Sequence, residues 1–153
     1  MNLVQVQSQD FVVGDEYQAL SSDPKAGAIA LFVGQVRDMN LDADVDALEL
    51  EHYLGMTERC LQHIVEAAQA RWPLLGYRLI HRYGKLQLGD QIVLVAVSSM
   101  HRQAAFDACQ YIMDRLKTDA PFWKKEHTRS GQRWLEVKAC DQQARDEWRD
   151  SLE

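Results

Sequence analysis

At 153 residues and 46% hydrophobic content, the chain has enough apolar material for one globular domain with a real core and too little length for two. Seventeen Lys and Arg stand against 23 Asp and Glu, a net charge of −6, which argues against the broadly basic surface of a general nucleic-acid binder. No basic-then-apolar signal pattern opens the chain and no apolar run approaches a bilayer span, so a cytoplasmic protein is expected, with neither secretion nor membrane insertion.

No linker or repeat divides residues 1–153, which read as a single domain. Residues 14–22 form a short predicted helix, and residues 28–36, rich in Ile, Leu, Phe and Val and entered through Gly27, a strand. The polar stretch 38–44 then reads as a flap that orders over substrate. Residues 46–53 alternate as a half-buried strand, with Ala47, Glu49, Glu51 and Tyr53 on one face and Leu48, Leu50 and His52 on the other; Leu48 and Leu50 are expected to point inward. A helix over 57–72 follows, carrying Cys60, Leu61, Ile64, Val65 and Ala68 on one stripe behind a Thr57 cap and ending at Pro73.

Strands are predicted at 77–83 and 91–99, joined through Gly84 and a Gly89-Asp90 turn, the second with the fully apolar run Ile92 to Val97. From 102 to 117 the helical period returns: Ala105, Cys109, Ile112 and Leu116 recur on one stripe, Phe106 and Met113 widen it, and Ser98 or Ser99 is placed to cap its start. Pro121 extends Ala120, so 122–128 reads as a strand paired through a Ser130-Gly131 turn with 133–138; Phe122, Lys124 and Glu126 share one of its faces. Residues 141–152 look like a polar terminal helix. The order of elements gives an α+β fold, a mixed or antiparallel sheet packed with helices, plus a small C-terminal antiparallel hairpin.

Cys60, Cys109 and Cys140 are widely spaced and lack a C-x-x-C pair, which argues against a disulfide framework and a zinc site; Cys60 and Cys109 are expected to pack as small apolar groups. His52, His63, His81 and His127 show no metal-ligand spacing and receive no catalytic role, and no resident cofactor is expected. Charge, however, is uneven. Residues 101–138 hold eight basic and five acidic side chains, a local +3 that leaves −9 for the rest. His101-Arg102 opens the helix within this island, and Lys117, Lys124 and Lys125 lie at or beyond its far end, an arrangement suited to an anionic substrate. Each also has a purely structural reading: Lys117 complements a helix C-terminus, Arg37 ends a strand in solvent, and Trp123 and Trp134 pack.

Several ordered blocks carry a resemblance: Phe32-Val33-Gly34-Gln35-Val36-Arg37, Leu50-Glu51-His52-Tyr53 with Gly55-Met56-Thr57, Ile80-His81-Arg82 with Gly84 and Gly89-Asp90, Ser99-Met100-His101-Arg102, and Met113-Asp114 to Trp123-Lys124. Together they resemble the catalytic, large subunit of molybdopterin synthase. The likeness implies an α/β-hammerhead-like fold and a sulfurtransferase of molybdenum-cofactor biosynthesis, converting cyclic pyranopterin monophosphate to molybdopterin. It implies a small ubiquitin-like partner bearing a C-terminal thiocarboxylate, and a homodimer within a heterotetramer. The roles it implies are catalytic for Lys117 and Lys124, and substrate-binding for Gln35, Val36, Arg37, His101, Arg102, Lys125 and Glu126. Departures are Leu54, where proline is common, Met100, where a smaller residue is, and Lys138, where an arginine is. The competing class is a non-catalytic module binding a ubiquitin-like tail or a phosphorylated ligand. A phosphate-ester hydrolase lacks a clear nucleophile or metal cluster, and RNA binding lacks an aromatic and basic strand signature.

Helix length adds a constraint of its own. At about 1.5 Å per residue, His101 and Lys117 stand roughly 24 Å apart, too far to close around one small ligand. A composite site is therefore predicted, with His101 and Arg102 of one protomer facing Lys117, Lys124 and Arg37 of its mate.

Overall fold

The longest apolar run of the sequence becomes an inner strand of a sheet covered on both faces. A computed structural model describes residues 2–37, 45–120, 122–128 and 131–134. In chain order the elements are β1 (Leu3–Gln7), α1 (Val13–Ser21), β2 (Ala28–Gln35), β3 (Val45–His52), α2 (Met56–Arg71), β4 (Leu74–Arg82), β5 (Gly84–Gln87), β6 (Gln91–Ser99), α3 (Arg102–Asp119), β7 (Phe122–Thr128) and β8 (Gly131–Trp134). The first sheet has the order β1-β4-β6-β2, with β1 parallel to β4 and the other pairs antiparallel. The second, all antiparallel, has the order β5-β3-β7-β8, so the predicted C-terminal hairpin is built onto β3 and β5 rather than standing apart.

Among the described residues this layout gives three cores. Helices α2 and α3 cover one face of the first sheet through Leu61, Ile64, Val65, Ala105, Ile112 and Leu116 against Leu79, Val93, Val95 and Val97. On the opposite face Phe11 and Leu20, flanking and within α1, pack on Ile80, Leu94 and Ala96. A smaller cluster of Val36, Leu48, Leu50 and Leu86 fills the second sheet. The run in β6 is therefore buried on both faces, as its continuous apolar sequence requires.

Local details depart from the predicted ones for identifiable reasons. Gly55, at φ 82°, is the N-cap of α2, and Thr57 lies inside the helix, fully buried, where its hydroxyl accepts the Tyr53 N–H at 3.1 Å. The Glu58 carboxylate accepts the Gly55 N–H at 2.5 Å instead. Neither Ser98 nor Ser99 caps α3: both are buried, and their hydroxyls donate to the carbonyls of Gly76 (3.5 Å) and Pro73 (2.9 Å), while His101 takes the cap position without a side-chain cap bond. Phe106 is 64% exposed, because the face of α3 turned to the sheet runs through Ala105, Ala108, Cys109, Tyr111 and Ile112, and the next 100° of helix points outward. In β3, Ala47 is buried along with Leu48 and Leu50, next to a register shift between Val45 and Ala47 in a strand flanked on both sides.

Two strands escaped the sequence reading. The short alternation in β1 is stabilised by its parallel partner β4, and β5 offers only Leu86 as a buried residue, too little for a period to be read. The predicted flap at 38–44, the turn at Ser130, residues 135–138 of the last predicted strand and the terminal helix at 141–152 lie outside the described residues.

Candidate functional site

Helix α3 leaves the Ser99 end of β6 and packs back across β6 and β2, so its C-terminus reaches the edge of the sheet where β2 and β4 stop. Gly34, Val93 and His81 form one row across that edge, and Gln35 pairs with Gln91 beside it. Lys117, exposed in the last turn of α3, therefore arrives at the same end of the sheet as Gln35 and Arg37, both exposed. Val36 between them is different. Its side chain lies in the core of the second sheet at 5% exposure, its N–H donates to the Asp90 carbonyl (2.9 Å), and its own carbonyl accepts the Gly89 N–H (2.7 Å).

The second sheet supplies Lys124. In register, Lys124 stands opposite Leu50, which stands opposite Gly84, and Phe122 stands opposite His52. Lys125 is placed opposite Glu49 and Trp134, and Glu126 opposite Leu48 and Arg133.

Between the elements that carry the two lysines stands a residue to which the sequence reading gave no role. His81, the second-to-last residue of β4, is buried, and its ring stacks on Phe122 with centroids 3.8 Å apart and planes 16° from parallel. Its Nδ1–H donates to the Arg82 carbonyl at 2.9 Å. Burial pushes its pKa down to about 3, against that hydrogen bond, and the positive charges of Lys124 and Lys117 push the same way, as does His52. His81 is accordingly a neutral imidazole at neutral pH, close enough to both ammonium groups to feel them. His52 completes the cluster: its ring lies 4.5 Å from that of Tyr83 and 6.1 Å from that of Phe122, and its Nδ1 is buried with no hydrogen-bond partner among the described residues. Both histidines sit on inward-facing strand positions, His52 in phase with Leu48 and Leu50 and His81 with Leu79. Asking what those faces pack against would have found them; asking only for metal spacing did not. No group of three or more His, Cys, Asp or Glu among the described residues is placed to hold a metal.

His101 and Arg102 occupy the other end of α3. Both are exposed at the start of an uninterrupted helix of 18 residues, with the first turn's N–H groups free of helical partners. The chain that delivers them is held tightly: the Gly27 N–H donates to the Ser99 carbonyl at 3.0 Å, and the backbone of Met100 occupies the space a side chain at 27 would need. The sequence-predicted set is therefore split within one chain, with Arg37, Lys117 and Lys124 toward one end and the His-Arg pair about 24 Å away at the other.

Fold and site together define an α+β domain that carries cationic side chains at both ends of one helix, with Lys117 in its last turn and Arg102 at its start. The chain belongs to the MoaE protein family, whose profile matches residues 6–119. The molybdopterin synthase catalytic subunit of Vibrio cholerae is 57% identical over 145 residues, covering 95% of this chain and 97% of that one. That of Escherichia coli K12 is 53% identical over 140 residues, covering 92% and 93%. Among solved structures, the molybdopterin biosynthesis MoaE protein from Burkholderia ambifaria matches with a TM-score of 0.82 at 46% identity, covering 97% of this chain and 98% of that one. By these relatives the chain is an enzyme of molybdenum-cofactor biosynthesis. No helix among the described residues is long and apolar enough to cross a membrane.

Proposed function

We propose that the chain acts in the cytoplasm as the catalytic subunit of a molybdopterin synthase, moving sulfur from a thiocarboxylated small ubiquitin-like subunit onto cyclic pyranopterin monophosphate to make the dithiolene. One arrangement carries this reading: α3 ends with Lys117 over the end of the first sheet where the His81 ring stacks on Phe122, two residues before Lys124. A partner chain is in keeping with relatives that are themselves named as subunits.

In this mechanism Lys117 holds the thiocarboxylate and balances its charge as the sulfur attacks the pterin side chain. Water then cleaves the acyl–sulfur bond of the resulting thioester, which leaves the sulfur on the pterin and frees the small subunit as a carboxylate, and a second thiocarboxylate supplies the second sulfur. Lys124 stabilises the negative charge that develops and passes a proton as the cyclic phosphate opens. Arginine would supply the charge but not the proton, since its pKa keeps it protonated throughout. Arg37 and Gln35 line the approach, Glu126 orients Lys124, and Lys125 and the backbone at Val36 border the substrate. His101 and Arg102 grip phosphate through a guanidinium fork and free helix N–H groups. Because one chain keeps the two groups apart, the working unit is a homodimer in which His101 and Arg102 of one protomer complete the lysine site of the other, with a small subunit bound to each.

Incubating the protein with thiocarboxylated small subunit and cyclic pyranopterin monophosphate, and measuring dithiolene product, tests the assignment. Product that disappears in Lys117→Ala and Lys124→Ala is expected; binding of both partners with no product would leave a binding module instead.

A further inference from the structure

The two lysines come from different sheets. Lys117 ends a helix packed on the first, and Lys124 lies in a strand of the second. Their relative position depends on what joins those sheets at this end, and the ring contact between His81 of β4 and Phe122 of β7 is such a joint. Phe122 is the first residue of β7, two before Lys124, and it also packs against the core beneath α3 that holds Leu116, the neighbour of Lys117. His52, opposite Phe122 in register, backs the same ring from the second sheet and is itself flanked by Tyr83.

We infer that His81 is a positioning residue of the sulfur-transfer site, acting through its stack on Phe122 to set Lys124 against Lys117. Three features suit it to this work. Its hydrogen bond to the Arg82 carbonyl fixes the tautomer and the plane of the ring, so the stacking surface cannot swing. Its burial keeps the ring uncharged, so it adds no repulsion to two ammonium groups that must both stay near. A position on an inner strand of the first sheet, paired to β6 at Val93 and with β1 on its other side, gives it a rigid base. Misplacement of a reacting group by about 1 Å can cost on the order of a hundredfold in rate, so a joint of this kind should show in turnover more than in binding.

The inference rests on Lys117 and Lys124 being the catalytic pair, and the test separates the two. In the assembled enzyme with thiocarboxylated small subunit, His81→Ala, Phe122→Ala, the double variant and His81→Phe are compared with Lys117→Ala, with the folded fraction of each measured by circular dichroism. Expected are a loss of about tenfold or more in kcat for His81→Ala and for Phe122→Ala, with KM for the cyclic phosphate within about twofold. The double variant should be little worse than either single one, because both remove the same contact. His81→Phe, which keeps a flat ring, should recover most of the turnover. If His81→Ala unfolds, His81→Phe and Phe122→Ala still carry the comparison. Multiplying losses in the double variant, or full kcat per folded molecule in Phe122→Ala alongside an inactive Lys117→Ala, would overturn the role of the stack. Full activity in Lys117→Ala and Lys124→Ala would instead overturn the lysine assignment on which it stands.

Discussion

The two ends of α3 handle charge in opposite ways. At its start, His101 and Arg102 are exposed, the helix contributes unpaired N–H groups, and precision comes from tight backbone packing at Gly27 and Met100. At its end, Lys117 is exposed, its charge helps to depress the pKa of the buried His81 imidazole, and half-buried Lys124 comes in on a strand of another sheet. The contrast suits the roles proposed for the two ends. Holding a phosphate needs only fixed positive potential, which an arginine and a helix start supply even in water. Exchanging a proton during sulfur transfer needs an ammonium whose position and surroundings are set by neighbours, and that takes a core.

The largest effect should come from disabling one end at a time. Lys117→Ala or Lys124→Ala should lower kcat at least about a hundredfold, the usual scale for losing a positioned acid–base group. His101→Ala should weaken substrate binding as well. Mixing Lys117→Ala with His101→Ala under subunit exchange sharpens the contrast. If the ends cooperate across a dimer, half the dimers are mixed and each of those has one intact site, so activity should return to roughly a quarter of wild type. No recovery, with exchange verified by tagged subunits, would place both ends of the site in one protomer or make them independent.

Acid should break the lysine end first. His81 has its folded pKa depressed from 6.5 to about 3, so the unfolded chain takes up a proton there that the folded chain refuses. The stability this gives is fully present above pH 6.5 and is lost as the pH falls towards 3. With 1.36 kcal/mol per unit, the loss is roughly 2 kcal/mol at pH 5 and about 4 kcal/mol at pH 3.5. Urea unfolding of the wild type at pH 7.5, 5 and 4 should show this slope, and His81→Phe should flatten it. An unchanged slope in that variant would mean the acid sensitivity lies elsewhere.

Most of this architecture was legible in the chain because its elements have strong periods. The alternation in 46–53, the apolar run in 91–99 and the stripe of 102–117 each correspond to an observed element within a few residues. What stayed hidden depends on tertiary neighbours. The serines at 98 and 99 are ordinary cap residues by local rules, but pairing with β4 drew their hydroxyls to Gly76 and Pro73. The candidate lysines could be named from the resemblance alone, whereas the His81–Phe122 stack between them joins residues 41 positions apart in two sheets, and no local pattern encodes such a meeting. That Val36 is core while Gln35 and Arg37 are exposed follows from strand alternation, yet which face would be covered was settled only by the second sheet.

Gly27 offers the smallest test and the one confined to the other end. A Cβ there would fall well inside contact distance of the Met100 carbonyl oxygen and 3.2 Å from its carbon, and these are backbone atoms that cannot turn aside as a side chain can. Gly27→Ala must therefore push the 99–101 segment off its hydrogen bond at the Ser99 carbonyl and shift the cap at His101 with it. Overpacking of this kind costs about 1–3 kcal/mol, readable as a lower unfolding midpoint. The kinetic signature separates the ends: KM for the cyclic phosphate should rise while kcat at saturation holds, the reverse of the pattern expected at His81. A variant that loses turnover with unchanged KM would show that the backbone at the helix start governs the lysines as well, and that the two ends are mechanically one site.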